Sequence, residues 1–159
     1  MSMLGWRQWA VDERGGLRPA WTPWSLFPDD LLLWRPDGLT RALCLRAARD
    51  TQDPRGQRAR PAHVQTPDEA CVCGLYAWRD PDLLTAAARP RWTHRPIVVG
   101  VAKLGGRVIV TERGYRAELA TPVAVLDRHG VVGPSYRVAR YRHWDALVAE
   151  WGASPAGQQ

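Results

Sequence analysis

Several features that would define a class of protein are absent from this sequence of 159 residues. No apolar run reaches the roughly 18 residues that a membrane-spanning helix needs, so we expect no transmembrane segment. No basic segment followed by an apolar core stands at the N-terminus, which argues against a secretory signal and predicts a cytoplasmic protein. Three cysteines cannot all pair within one chain, so a disulfide framework is not expected.

The short motifs that mark many catalytic sites are also absent. The sequence contains no phosphate-binding loop, no dinucleotide fingerprint, no HExxH and no nucleophile elbow. Glu112 and Glu118 could form a carboxylate pair, but surface ion pairs with Arg113 and Arg116 are the simpler interpretation. The pattern therefore favours a binding protein over an enzyme of unknown reaction.

The residues that are present are unusual in two respects. There are nine tryptophans and one phenylalanine, and among 22 lysine and arginine residues only Lys103 is a lysine. The formal net charge of +6 favours an anionic partner, either nucleic acid or an acidic protein surface, and no membrane partner is expected. We expect most of the tryptophans to form the core.

Short β-rich runs separated by turn residues predict a mainly β (α+β) fold, built as a small, strongly bent sheet or barrel. Gly15-Gly16 predicts a hairpin turn after a strand over 4–11. Gly105-Gly106 is expected to form a second hairpin, between strands over 97–104 and 107–112.

Two helices are expected. Asp80 as N-cap and Pro81 at the first helical position predict a short helix after a strand over 71–77. Apolar residues at helical spacing predict a C-terminal amphipathic helix over 143–151. We expect one domain over residues 1–151 that includes a long Arg-rich loop over 46–70, followed by a flexible tail over 152–159.

A CxC pair is the most informative local pattern. On a strand, Cys71 and Cys73 would face the same side, so both sulfurs could reach one ion. Cys44 and His63 would complete three thiolates and one imidazole, which is the ligand set of a closed structural Zn²⁺ site. Such a site would also tie the long loop to the sheet. His94 and His129 are alternatives for the fourth ligand, and inert buried cysteines, a redox pair or an iron–sulfur cluster are the other interpretations.

The same residues carry a resemblance. Gly5-Trp-Arg7, Cys44, His63, the segment Cys71-Val-Cys-Gly-Leu-Tyr-Ala77, Gly106-Arg-Val108 and Glu112-Arg-Gly-Tyr-Arg-Ala117 are similar to a group of small actinobacterial proteins with a CxCG(I/L)YA motif. The resemblance covers roughly residues 5–126. It implies that His63 joins the three cysteines, and it implies no reaction.

Basic residues beside aromatic ones suggest a binding surface. These residue types contact phosphates and stack on bases, which indicates a nucleic-acid-binding accessory or regulatory module. The candidates are Arg107, Arg113, Arg116, Arg137, Arg140, Arg142 and Tyr115. A protein–protein adaptor that docks through exposed tryptophans and a small-ligand-binding protein are the alternatives.

Overall fold

The computed structural model describes residues 3–28, 30–45 and 65–152. Seven strands lie within these ranges: β1 (Met3–Val11), β2 (Leu17–Pro19), β3 (Thr40–Arg41), β4 (Leu75–Trp78), β5 (Ile97–Val110), β6 (Gly114–Leu126) and β7 (Ala139–Tyr141). The same ranges contain helices α1 (Pro81–Ala86) and α2 (Trp144–Trp151) and a short 3₁₀ helix over Trp24–Leu26. No described helix has the length and apolar character needed to cross a membrane.

The strands form one mixed sheet that closes on itself. β5 pairs antiparallel with both β1 and β6, and β4 pairs antiparallel with β1 and β6 on the opposite side. The four strands therefore form a ring of hydrogen-bonded neighbours, which confirms the predicted bent, barrel-like sheet. The backbone pairing between β1 and β4 consists of one residue pair, Trp6 and Trp78. β7 runs parallel to β6 and makes the sheet mixed.

One predicted turn is wrong. Gly105 and Gly106 do not separate two strands; both lie inside the continuous β5. The pairing with β6 shifts register between Gly105 and Val108, and Gly106 has φ +65°. The glycines therefore form a bulge that bends the strand, and the chain reverses after Val110 instead. The other predicted hairpin, at Gly15-Gly16, is confirmed, with Gly15 at φ +81°.

Three of the nine tryptophans are buried in the core, fewer than expected: Trp6, Trp9 and Trp34. Trp9 and Trp34 are buried together, with ring centroids 5.3 Å apart in an edge-to-face arrangement. Trp6 belongs to a second cluster with Leu84 of α1 and Leu147 of α2, so the two helices cover another side of the sheet. Trp21 and Trp92 are the tryptophans that the described chain leaves exposed.

Both predicted helices are present. The side chain of Asp80 accepts a hydrogen bond from the Leu83 N–H at 3.2 Å and caps α1, with Pro81 at its first position. The strand before it is shorter than predicted, because β4 begins at Leu75 and the CxC pair precedes it. Residues 46–64 of the predicted loop and 153–159 of the predicted tail lie outside the described residues.

Candidate metal centre

The three cysteines converge. The sulfurs of Cys44, Cys71 and Cys73 all lie within 4.8 Å of one another, and those of Cys44 and Cys71 are 3.9 Å apart. Thiolates bound to one Zn²⁺ at about 2.3 Å with tetrahedral angles have sulfurs about 3.8 Å apart. Cys71 and Cys73 are buried and Cys44 is half-buried. The cluster therefore has the spacing and burial that a single metal ion requires.

The sheet explains why residues so distant in sequence meet. β5 occupies one edge of β6, and both β3 and β4 pair with the other edge. On that edge, Leu75 pairs with Ala117 and Arg41 pairs with Leu119. The start of β4 and the end of β3 therefore lie beside each other, with one residue of β6 between their pairing partners. Cys73 precedes the one strand and Cys44 follows the other, which brings them together.

The backbone around the CxC pair is held by a side chain from the neighbouring strand. Nη1 of Arg116 donates to the carbonyl oxygens of Cys71 and Cys73, the latter at 3.0 Å, and lies 3.4 Å from that of Asp68. Such hydrogen bonds behind the ligands fix how they point toward an ion. The basic and aromatic neighbours of Arg116 predicted a surface role, whereas its structural role follows from the pairing of Tyr76 with Arg116 across β4 and β6.

Gly74 makes the close approach of this segment possible. Its φ of +125° is a conformation that side chains other than hydrogen rarely permit. A Cβ at this position would lie 3.0 Å from the Cβ of Arg116 and 3.1 Å from that of Pro67. The CxC pair is thus followed by a position where only glycine fits without displacement of the support.

The electrostatics of the cluster disfavour three free thiolates. Burial is the largest cause that raises the pKa of the Cys73 thiol, and the neighbouring Cys71 and Cys44 raise it further. A hydrogen bond from the backbone of Asp68 acts in the opposite direction. A divalent cation would remove this repulsion, because the thiolate is the ligand form of cysteine.

The other predicted ligands have different outcomes. His63 lies outside the described residues, so its place as fourth ligand stays a prediction. His94 and His129 are exposed and do not belong to the cysteine cluster. Glu118 makes the predicted kind of surface ion pair, although with Arg41 at 2.9 Å, and its Oε2 accepts the backbone N–H of Arg107 at 2.8 Å.

The cysteines form one wall of a large apolar cleft. The cleft has a volume of about 640 Å³ and is lined by β1, β4, the chain around residues 20–22 and 31–34, and the segments that carry the cysteines. Trp34 and Trp21 contribute aromatic surface, and Arg7 of β1 contributes a guanidinium group. This volume is within the range of small-molecule binding sites in proteins. No local pattern in the sequence indicated the cleft.

Two of the candidate nucleic-acid contacts are engaged within the protein. Arg116 supports the CxC segment, as described above. Arg140 donates to the carbonyl oxygens of Val132 at 2.8 Å and Gly133 at 2.7 Å and pairs with the buried carboxylate of Asp127 at 3.3 Å. Nη1 of Arg116 and both Nη atoms of Arg140 are therefore engaged within the protein.

The remaining candidates are more accessible. Arg113, Arg137 and Arg142 are exposed, while Arg107 is exposed with its Nη1 2.9 Å from the side-chain oxygen of Gln65. Tyr115 is half-buried, with the guanidinium carbon of Arg79 5.8 Å from its ring centroid. The described residues give no arrangement that favours nucleic acid, and this partner stays a prediction.

Comparison with known proteins adds no relative. No protein-family model, no curated protein and no solved structure matches the chain. The function of the protein is therefore inferred from the geometry of the three cysteines and of the cleft beside them.

Proposed function

We propose that the protein is a small zinc-stabilised binding module, in which Zn²⁺ fixes one wall of the cleft. The observation that carries the proposal is the convergence of the three cysteine sulfurs from two separate segments. Three thiolates at this spacing suit Zn²⁺ better than Mg²⁺ or Ca²⁺, which prefer oxygen ligands. His63 is the proposed fourth ligand and would close the tetrahedral site.

The proposed role of the metal is structural. Cys44 and the CxC pair belong to segments that contact β6 on the same edge, and an ion between them would hold both segments together. A metal that joins distant parts of the chain stabilises the fold, since the unfolded chain offers no preformed site. The cleft would then keep its shape because its wall is tied to the sheet.

Metal analysis of the purified protein tests the proposal. We expect about one Zn²⁺ per chain and its loss in Cys73→Ser, together with a large fall in melting temperature. Val72→Ser is a matched control, because Val72 stands between the two ligands with its side chain 66 % exposed. Absence of bound metal from the wild-type protein, a disulfide between two of the cysteines, or full zinc content in Cys73→Ser would each contradict the proposal.

Nucleic-acid binding is the second candidate function, and Arg113, Arg137 and Arg142 are the candidate contacts that remain exposed. A mobility-shift titration with duplex DNA and single-stranded RNA should then show binding that weakens steeply with salt, because bound phosphates release counterions. Replacement of the three arginines by methionine should abolish the shift. No binding at low ionic strength would remove this candidate.

A further inference from the structure

The cleft contains a positive charge without a counter-charge. Arg7 is half-buried on β1, and it makes no ion pair with any carboxylate in the described part of the chain. Arg41, which also lines the cleft, is paired with Glu118 and exposed. A charge withdrawn from water is costly unless an opposite charge accompanies it. Arg113 also lines the cleft without an ion pair, but it is exposed to solvent, so Arg7 is the partly buried cation of the cleft that has no counter-charge among the described residues.

The position of Arg7 is fixed by its surroundings. Its guanidinium carbon lies 4.4 Å from the ring centroid of Trp34 and 5.5 Å from that of Trp9. Its Nη1 donates to the carbonyl oxygen of Tyr76 at 3.1 Å, and its Nε lies 3.4 Å from the carbonyl oxygen of Gln8. These contacts hold the planar group against aromatic surface and leave Nη2 without a hydrogen-bond acceptor in the described chain. Burial lowers the pKa of Arg7 to about 9, which is the expected effect of an unpaired charge.

A second polar group beside it is also unsatisfied. Gln8 lines the same cleft, and its buried Oε1 has no hydrogen-bond partner within the described residues. Successive side chains of a strand face opposite sides of the sheet, so the Gln8 amide points away from the Arg7 guanidinium. Of these two residues, Arg7 alone therefore supplies donors to one acceptor group.

We propose that the cleft binds an organic monocarboxylic acid with an apolar body, its carboxylate on Arg7 and its body against the apolar wall that includes the exposed Trp21. This assignment rests on the proposed binding function of the cleft and names its ligand class. A guanidinium group matches a carboxylate with two parallel hydrogen bonds, and a desolvated pair of this kind is strong. The volume of about 640 Å³ leaves room for an aromatic or aliphatic body.

A pair of fluorescent probes tests whether the cleft prefers an anionic ligand to a neutral one. 8-Anilinonaphthalene-1-sulfonate carries an anionic group, and N-phenyl-1-naphthylamine has the same aromatic body without it. With the zinc-loaded wild-type protein, we expect one anionic probe per chain, bound about tenfold or more tightly than the neutral probe. We also expect 2-naphthoate to displace the anionic probe more effectively than 2-naphthamide does.

Variants of Arg7 test whether its guanidinium group causes the preference for the anionic probe. Arg7→Met should abolish the preference for the anion and leave affinity for the neutral probe within about twofold, and Arg7→Lys should keep part of the preference. Lys103→Met is the matched control, because it removes an exposed positive charge of β5 that does not line the cleft. If Arg7→Met does not fold, the wild-type preference and Arg7→Lys still decide the question.

The outcomes separate the two proposals. Equal affinity for both probes in the wild-type protein, or an anion preference that survives in Arg7→Met, would overturn the carboxylate assignment while the binding cleft stands. A preference that disappears in about 0.5 M salt would also overturn it, since a buried pair is screened less than a surface one. Failure of both probes to bind would refute the binding function of the cleft itself.

Discussion

Nη1 of Arg116 lies 3.0 Å from the carbonyl oxygen of Cys73. The same nitrogen donates to the carbonyl of Cys71, so one side chain holds both ends of the CxC pair. An arginine on β6 thereby holds the backbone of the segment that precedes β4. The cysteine cluster depends on this residue although it supplies no ligand.

Replacement of Arg116 should weaken metal binding. We expect Arg116→Met to lower the affinity for Zn²⁺ by about tenfold to a hundredfold, because groups that orient the ligands contribute on this scale. Competition with a chromophoric zinc chelator measures the change. Arg137→Met, at an exposed arginine remote in sequence from the cysteines, should leave the affinity unchanged. Equal affinities in all three proteins would contradict the supporting role of Arg116.

Metal affinity should fall as pH falls. The thiols must lose their protons to bind Zn²⁺, and burial raises the pKa of Cys73, so this thiol keeps its proton through neutral pH in the metal-free protein. Metal binding then releases protons, and the apparent affinity should drop by up to about tenfold per pH unit for each thiol that ionises. The melting temperatures of zinc-loaded and EDTA-treated protein should therefore approach each other from about pH 8 to about pH 6. A difference between the two melting temperatures that does not change with pH would argue against thiolate ligands.

Gly74→Ala should destabilise the protein by about 1–3 kcal/mol, since it places a side chain in a conformation that favours glycine and against Arg116 and Pro67. Urea denaturation measures the free energy of unfolding. Gly38→Ala is the control, because a Cβ at this exposed position meets no atom within 4 Å. We expect the control to change the free energy by less than about 0.5 kcal/mol. Similar effects at both sites would show that the position of Gly74 is unimportant.

Tyr136→Phe should also be destabilising. The buried hydroxyl accepts the Leu17 N–H at 2.9 Å and donates to the carbonyl oxygen of Trp34. Burial raises the pKa of Tyr136, so this hydroxyl stays neutral and able to donate. Its removal leaves two buried backbone groups unpaired, at a cost of about 1–3 kcal/mol in the free energy of unfolding. Tyr115→Phe, which removes a hydroxyl without a hydrogen bond in the described chain, should have little effect by the same measurement.

The sequence predicted the elements that local chemistry determines. Asp80 and Pro81 begin α1 because an N-cap acceptor and a proline at the first position act within a few residues. Gly105-Gly106 was misassigned because paired glycines serve both turns and bulges, and the choice depends on the partner strand. Here β6 continues opposite both glycines and on past them, so the flexible positions bend β5 and do not end it.

The candidate site was predictable in part. Two cysteines at i and i+2 and one distant cysteine indicated a shared ion, and the structure places the three sulfurs together. The expected reason, a strand that carries Cys71 and Cys73, was wrong, because the pair lies just before β4. Arg116 and Arg7 could not be identified, since their roles depend on strand register and on the cleft that forms when the sheet closes.

The single residue pair between β1 and β4 has a consequence for motion. Trp6 and Trp78 are the single backbone ladder pair between these strands, supplemented by the bond from Arg7 Nη1 to the Tyr76 carbonyl oxygen, whereas β5 pairs with β6 along most of its length. Local opening begins where the fewest backbone hydrogen bonds must break. Amide hydrogens of β4 should therefore exchange with solvent sooner than those in the middle of β5, so that the ring opens at the side that carries the cysteines and the cleft.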